Sequence, residues 1–121
     1  MRQSRKSIFL KRDKTIREER LYTDYALMRE NITSRFGISR ITLGHLLKLY
    51  ANGKTFPSYI NSIRLENVCQ LLTTTNDSIS DIAEKVGLMQ HNLHRIFKAQ
   101  YGLTPKQYRE SKLPASSKSK Q

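Results

Sequence analysis

Residues 87–109 read GLMQHNLHRIFKAQYGLTPKQYR. Leu93, Ile96 and Phe97 recur at helical steps and form one apolar face. His91, His94, Arg95 and Lys98 fall three and four residues apart on another. A glycine opens the stretch and a Thr-Pro pair follows it, so the spacing predicts a helix to about Gln100.

The same pattern occurs fifty residues earlier. Ile32, Phe36, Gly37, Ile38, Leu43, Leu46, Leu47 and Lys48 overlie Ile82, Val86, Gly87, Leu88, Leu93, Ile96, Phe97 and Lys98. One extra residue in the first copy then shifts the offset to 49, and Gly53, Thr55 and Tyr59 overlie Gly102, Thr104 and Tyr108. Each copy is a short helix, a turn opened by Gly and a longer helix, the helix-turn-helix arrangement. Tandem repetition is far more specific than one occurrence, because a single helix-Gly-helix pattern arises by chance in many helical domains.

Working outward, no stretch has a convincing period of two, and the expected fold is all-α. A first helix is expected from about Glu18 to Phe36, on the spacing of Leu21, Tyr25, Met28, Ile32 and Phe36. A second is expected from about Arg40 to Tyr50, and a third from about 57 to 73, with Pro57 in its first turn. Ser78 to Asp81 and Thr104 to Gln107 read as capping boxes opening two more helices, the second with Pro105 at the first helical position. Residues 1–17 hold seven basic residues and one acid and read as a basic flexible arm, either solvated or laid along a phosphate backbone. Residues 111–121, rich in Ser and Lys, read as a disordered tail.

The 121 residues suffice for one domain with a modest core. A net charge of +12 and a pI of about 10.1 favour a polyanionic partner. The single cysteine, Cys69, allows no internal disulfide and suits a reducing cytosol. No apolar run approaches the roughly 18 residues of a membrane span, and Ile8-Phe9-Leu10 is too short for a signal-peptide core. His91 and His94 lack the further ligands zinc requires. No nucleophile–base arrangement, carboxylate pair or phosphate-cradling glycine loop appears, so neither an enzyme nor a cofactor is expected.

A recognition helix must hold the core with one face and offer hydrogen bonders to the major groove with the other. The second long helix has that split. In the first, the matching face carries Arg40, Ile41, Gly44, His45 and Lys48, poorer in hydrogen bonders. There Ile41 suits a thymine methyl and Gly44 a close approach.

The region from about Ile32 to Arg109 resembles the DNA-binding domain of the AraC/XylS family of bacterial transcription regulators. The resemblance lies in FPSYINSIRLENVCQLL (56–72), SISDIAEKVG (78–87) and, most specifically, FKAQYGLTPKQYR (97–109). It implies two helix-turn-helix subdomains, homeodomain-like three-helix units, joined by a linker helix. The double domain would occupy residues 18–110, with a first unit at about 18–56, the linker at about 57–73 and a second unit at about 78–109. The two recognition helices would enter successive major grooves about 34 Å apart. The resemblance places base reading on Arg40, Ile41, Gly44 and His45, and on Gln90, His91, His94 and Arg95. Lys48 and Lys98 are expected on phosphates.

The leading expectation is a cytoplasmic, nucleoid-associated, sequence-specific regulator of transcription. Its partners would be double-stranded DNA and RNA polymerase, and this chain shows no sensor domain. The alternative is a degenerate helical module that binds a protein partner and DNA only non-specifically. General RNA binding is disfavoured, because the aromatic residues sit at core spacing and not on an open stacking surface.

Overall fold

The computed structural model describes residues 4–24, 27 and 29–112. These residues carry seven α-helices and no strand: α1 (Arg5–Glu18), α2 (Arg29–Phe36), α3 (Arg40–Tyr50), α4 (Phe56–Thr74), α5 (Ile79–Val86), α6 (Gln90–Tyr101) and α7 (Pro105–Lys112). They fall into two compact units, one ending at Ile63 and the other beginning at Arg64, so α4 runs through the boundary.

In the first unit, Leu43, Leu46 and Leu47 of α3 meet Ile32 of α2 and Phe56, Tyr59, Ile60 and Ile63 of α4. In the second, Leu93 and Phe97 of α6 meet Ile82, Ala83 and Val86 of α5 and Leu65, Val68 and Leu72 of α4. The long helix is therefore more than a linker: its two halves complete the two cores.

Two expectations fail at the N-terminal end. Residues 1–17 are not a flexible arm from residue 4 onward. Residues 5–18 form α1, opened by Ser4, whose hydroxyl accepts from the Ser7 amide at 3.0 Å. Phe9 and Ile16, two helical turns apart, are buried in the first core, and the Phe9 ring lies 5.7 Å from Tyr50 and 5.9 Å from Tyr59. The Arg12 guanidinium stacks over Phe36 at 5.1 Å. The dense positive charge of the segment obscures this apolar stripe, and the first unit starts well before residue 18.

Nor does a continuous helix run from 18 to 36. After α1, Arg20 adopts a left-handed conformation (φ 55°), a short 3-10 turn covers Leu21–Thr23, and Asp24 is extended (φ −77°, ψ 108°). Tyr22, not Leu21, is the residue that turn buries. Tyr25 and Met28, which completed the expected stripe, lie outside the described residues. At the other end, α7 reaches Lys112, so residues 111 and 112 are helical; the rest of the expected tail lies outside the described residues.

Candidate nucleic-acid interface

The turn between α2 and α3 and the turn between α5 and α6 are closed by the same hydrogen bonds. In the first, the Gly37 amide donates to Ser34 and the Ile38 amide to Thr33, at 3.3 and 3.1 Å. In the second, the Gly87 amide donates to Glu84 and the Leu88 amide to Ala83, at 3.2 and 2.9 Å. These are paired Schellman closures, which require a left-handed residue after the helix. Gly37 (φ 62°) and Gly87 (φ 81°) supply it without the penalty a Cβ would bring. Ile38 and Leu88, the next residues, pack onto their respective cores.

The following helices start differently. The Ser39 hydroxyl accepts from the Thr42 amide at 3.0 Å and caps α3. Met89 holds the equivalent place before α6 and makes no side-chain cap. Its side chain is 58 % exposed beside Gln90, and sequence reasoning passed over it. The legible signal was an apolar residue standing where a capping hydroxyl stands fifty residues earlier.

With α3 and α6 anchored, their outer faces follow. On α3 the exposed residues include Arg40, Ile41, Gly44, His45 and Lys48; on α6 they include Gln90, His91, His94, Arg95 and Lys98. All ten predicted contact positions are solvent-exposed, and they pair one to one at an offset of fifty. Leu43 and Leu47 are buried behind the first face, Leu93 and Phe97 behind the second. Each face carries cations and hydrogen-bonding side chains, the chemistry that meets phosphates and base edges. The two are unequal: His91 and His94 stand where α3 has Ile41 and Gly44.

The rest of the second unit positions α6. Thr104 and Gln107 form a reciprocal capping box at the start of α7: the Gln107 amide donates to the Thr104 hydroxyl at 3.1 Å, and the Gln107 side-chain carbonyl accepts from the Thr104 amide at 2.9 Å. Tyr108 of α7 places its ring edge-on to Phe97 at 5.5 Å, bracing α6 from behind. Arg109 donates to the carbonyls of Leu72 and Thr75 at 3.0 and 3.2 Å, which satisfies acceptors at the C-terminal end of α4. Burial, helped by hydrogen bonding to Cys69, raises the pKa of the Tyr101 and Tyr108 phenols above the ordinary range. The hydrogen bond from Lys85 lowers the pKa of Asp77, beside the start of α5. Arg64 of α4 is a buried cation, 7 % exposed. Among the described residues, no helix is long and apolar enough to cross a membrane.

Residues 32–111 match the family model described as "Helix-turn-helix domain". The chain is 32 % identical over 91 residues to an uncharacterized HTH-type transcriptional regulator, YfiF, of Bacillus subtilis; the match takes in 70 % of this chain and 28 % of that protein. This chain thus spans less than a third of the length of the curated relatives it matches. Among solved structures, the C-terminal domain of AraT, a response regulator from Geobacillus stearothermophilus, superposes with a TM-score of 0.79 at 29 % identity, covering 93 % of this chain and 92 % of that one. The DNA-binding domain of AdpA, solved with a target DNA, shares the fold with a TM-score of 0.74 at 21 % identity, covering 85 % of this chain and 90 % of that one.

Proposed function

The chain belongs to the AraC/XylS-type helix-turn-helix family, and from that premise we propose that it is a DNA-binding regulator of transcription that reads base edges with α3 and α6. The observation that carries this reading is the fifty-residue correspondence of the two helices: Leu43 and Leu47 are buried where Leu93 and Phe97 are, and the five exposed contact positions of α3 fall on five exposed positions of α6. A mere structural duplication needs only the buried half of that match. Retention of cations and hydrogen bonders on both outer faces points to one kind of partner met twice.

Arg95 is assigned to a guanine, whose O6 and N7 accept its two parallel donors, and Gln90, His91 and His94 to neighbouring base edges. Arg40, Ile41, Gly44 and His45 are the corresponding positions of α3. Lys48 and Lys98 follow on phosphates, one helical turn further along. The net charge of +12 adds an attraction that is independent of sequence and sensitive to salt. A regulator of chromosomal DNA of this kind works in the bacterial cytoplasm.

The test is selection of bound duplexes from a random pool at about 150 mM salt, where the general charge attraction is suppressed. The expected result is a motif with two half-sites, one for each helix. Retention of DNA without any enriched motif would sink the reading.

A further inference from the structure

Gly44 lies in the middle of α3, where glycine is the poorest helix former after proline. Nothing inside the protein calls for it. Unlike Gly37 and Gly53, it has no positive φ, and a Cβ built on it meets no atom within 4 Å. A glycine that neither backbone nor packing requires, on an exposed face, leaves room for something outside the chain.

One turn earlier on the same face stands Ile41. It is 71 % exposed, more than any other large apolar side chain of the described residues. An isoleucine held in water beside a bare stretch of helix backbone is the reverse of the α6 arrangement, where His91 and His94 offer ring nitrogens at the two matching positions. Ile41 and Gly44 together offer an apolar projection and a gap, with no hydrogen-bonding side chain at either position.

In the major groove, the apolar group that base edges present is the methyl on C5 of a pyrimidine. We infer that Ile41 and Gly44 form a methyl-reading notch, which takes the C5 methyl of thymine or of 5-methylcytosine in the half-site facing α3. This rests on the reading that α3 enters the major groove. It adds a consequence that reading does not contain: binding at this half-site responds to methylation of cytosine.

The test uses the whole chain and the duplex it selects. Each thymine of the α3 half-site is replaced in turn by deoxyuridine, which removes the methyl and keeps the pairing edge. At one position the affinity should fall about fourfold, the effect of burying one methyl group. The Ile41→Ala variant should bind the thymine and uracil duplexes equally. At the same position, 5-methylcytosine should bind more tightly than cytosine, which separates a read methyl from a read A·T pair. Gly44→Ala should weaken the thymine duplex while raising the melting temperature of the free protein, so its loss of binding cannot come from misfolding. If both half-sites are selected but uracil substitution changes nothing, the notch is refuted and the groove reading survives. If no half-site is selected for α3, both fail.

Discussion

The Tyr59 hydroxyl donates to Asp13 Oδ1 at 2.5 Å, bringing together residues 46 positions apart on α4 and α1. The same carboxylate accepts from Arg17 Nε at 2.9 Å through its other oxygen. Asp13 therefore ties α1 to the first core by a charged acceptor as well as by the rings of Phe9, Tyr50 and Tyr59. Tyr59→Phe should lower stability by about 1.5 to 3 kcal/mol, the range for a bond to a charged group. Deleting residues 1–18 should do far more, because it uncovers the apolar surface that Phe9 and Ile16 close. Urea denaturation of both variants checks the ranking; a deletion as stable as the parent would return α1 to the status of an appendage.

The two glycine classes should respond with opposite signs. At Gly37 (φ 62°) an added Cβ meets nothing within 4 Å, so alanine there pays only the left-handed conformation, about 1–2 kcal/mol. At Gly44 the helix is ordinary and the space is open, so alanine should stabilise by up to about 1 kcal/mol. Thermal melts of Gly37→Ala and Gly44→Ala read the contrast directly.

On DNA, Arg95→Ala should cost about 1–3 kcal/mol on the selected site and relax preference at one base pair. Lys98→Ala should weaken selected and random duplexes alike and lower the salt slope by about one. Equal losses on both duplexes for Arg95→Ala would remove it from the base readers. Titrations at several salt concentrations separate the two behaviours.

Arg109→Ala leaves the Leu72 and Thr75 carbonyls without their cationic donor. The expected cost is about 1.5–3 kcal/mol per bond at most, less where water replaces the guanidinium. Lysine cannot reproduce the forked geometry, so Arg109→Lys should recover only part of the loss. Chemical denaturation monitored by helical circular dichroism gives both values.

Tyr101 and Tyr108 give the second unit a sign for alkaline pH. Burial holds their folded values above the unfolded phenol value of about 10. Their contribution is therefore complete below about pH 10 and is lost as pH rises through the raised folded values. Replacing both with Phe should make the decline in the urea midpoint above about pH 10 shallower. Lysine deprotonation acts on both proteins, so the difference between them isolates the phenols.

The outer faces of α3 and α6 were legible because a repeat supplies its own control: a polar position that recurs at a fixed distance from Gly37 and from Gly87 is hard to dismiss as chance. The capping box at Thr104 was legible for a local reason, since four adjacent residues contain both partners. What the sequence hid was non-local. Tyr59 reads as one more apolar residue of α4 until its hydroxyl is seen on Asp13, and Arg109 reads as the end of a motif until it is seen closing α4. The apolar spacing from Leu21 to Phe36 misled because periodicity does not register a left-handed Arg20 or an extended Asp24. Phe9 and Ile16 were masked because seven positive charges dominate any average over their segment.

None of the ten proposed contact residues of α3 and α6 is among the buried or half-buried residues of those helices. On the proposed reading, foldability and address are written in different letters. The outward set can be rewritten at either helix without asking the core to repack, and the two helices can be rewritten at different times. If the outward faces read bases as proposed, a lineage or an engineer could move this protein from one operator to another a half-site at a time, passing through intermediates that fold and still hold half of the old address.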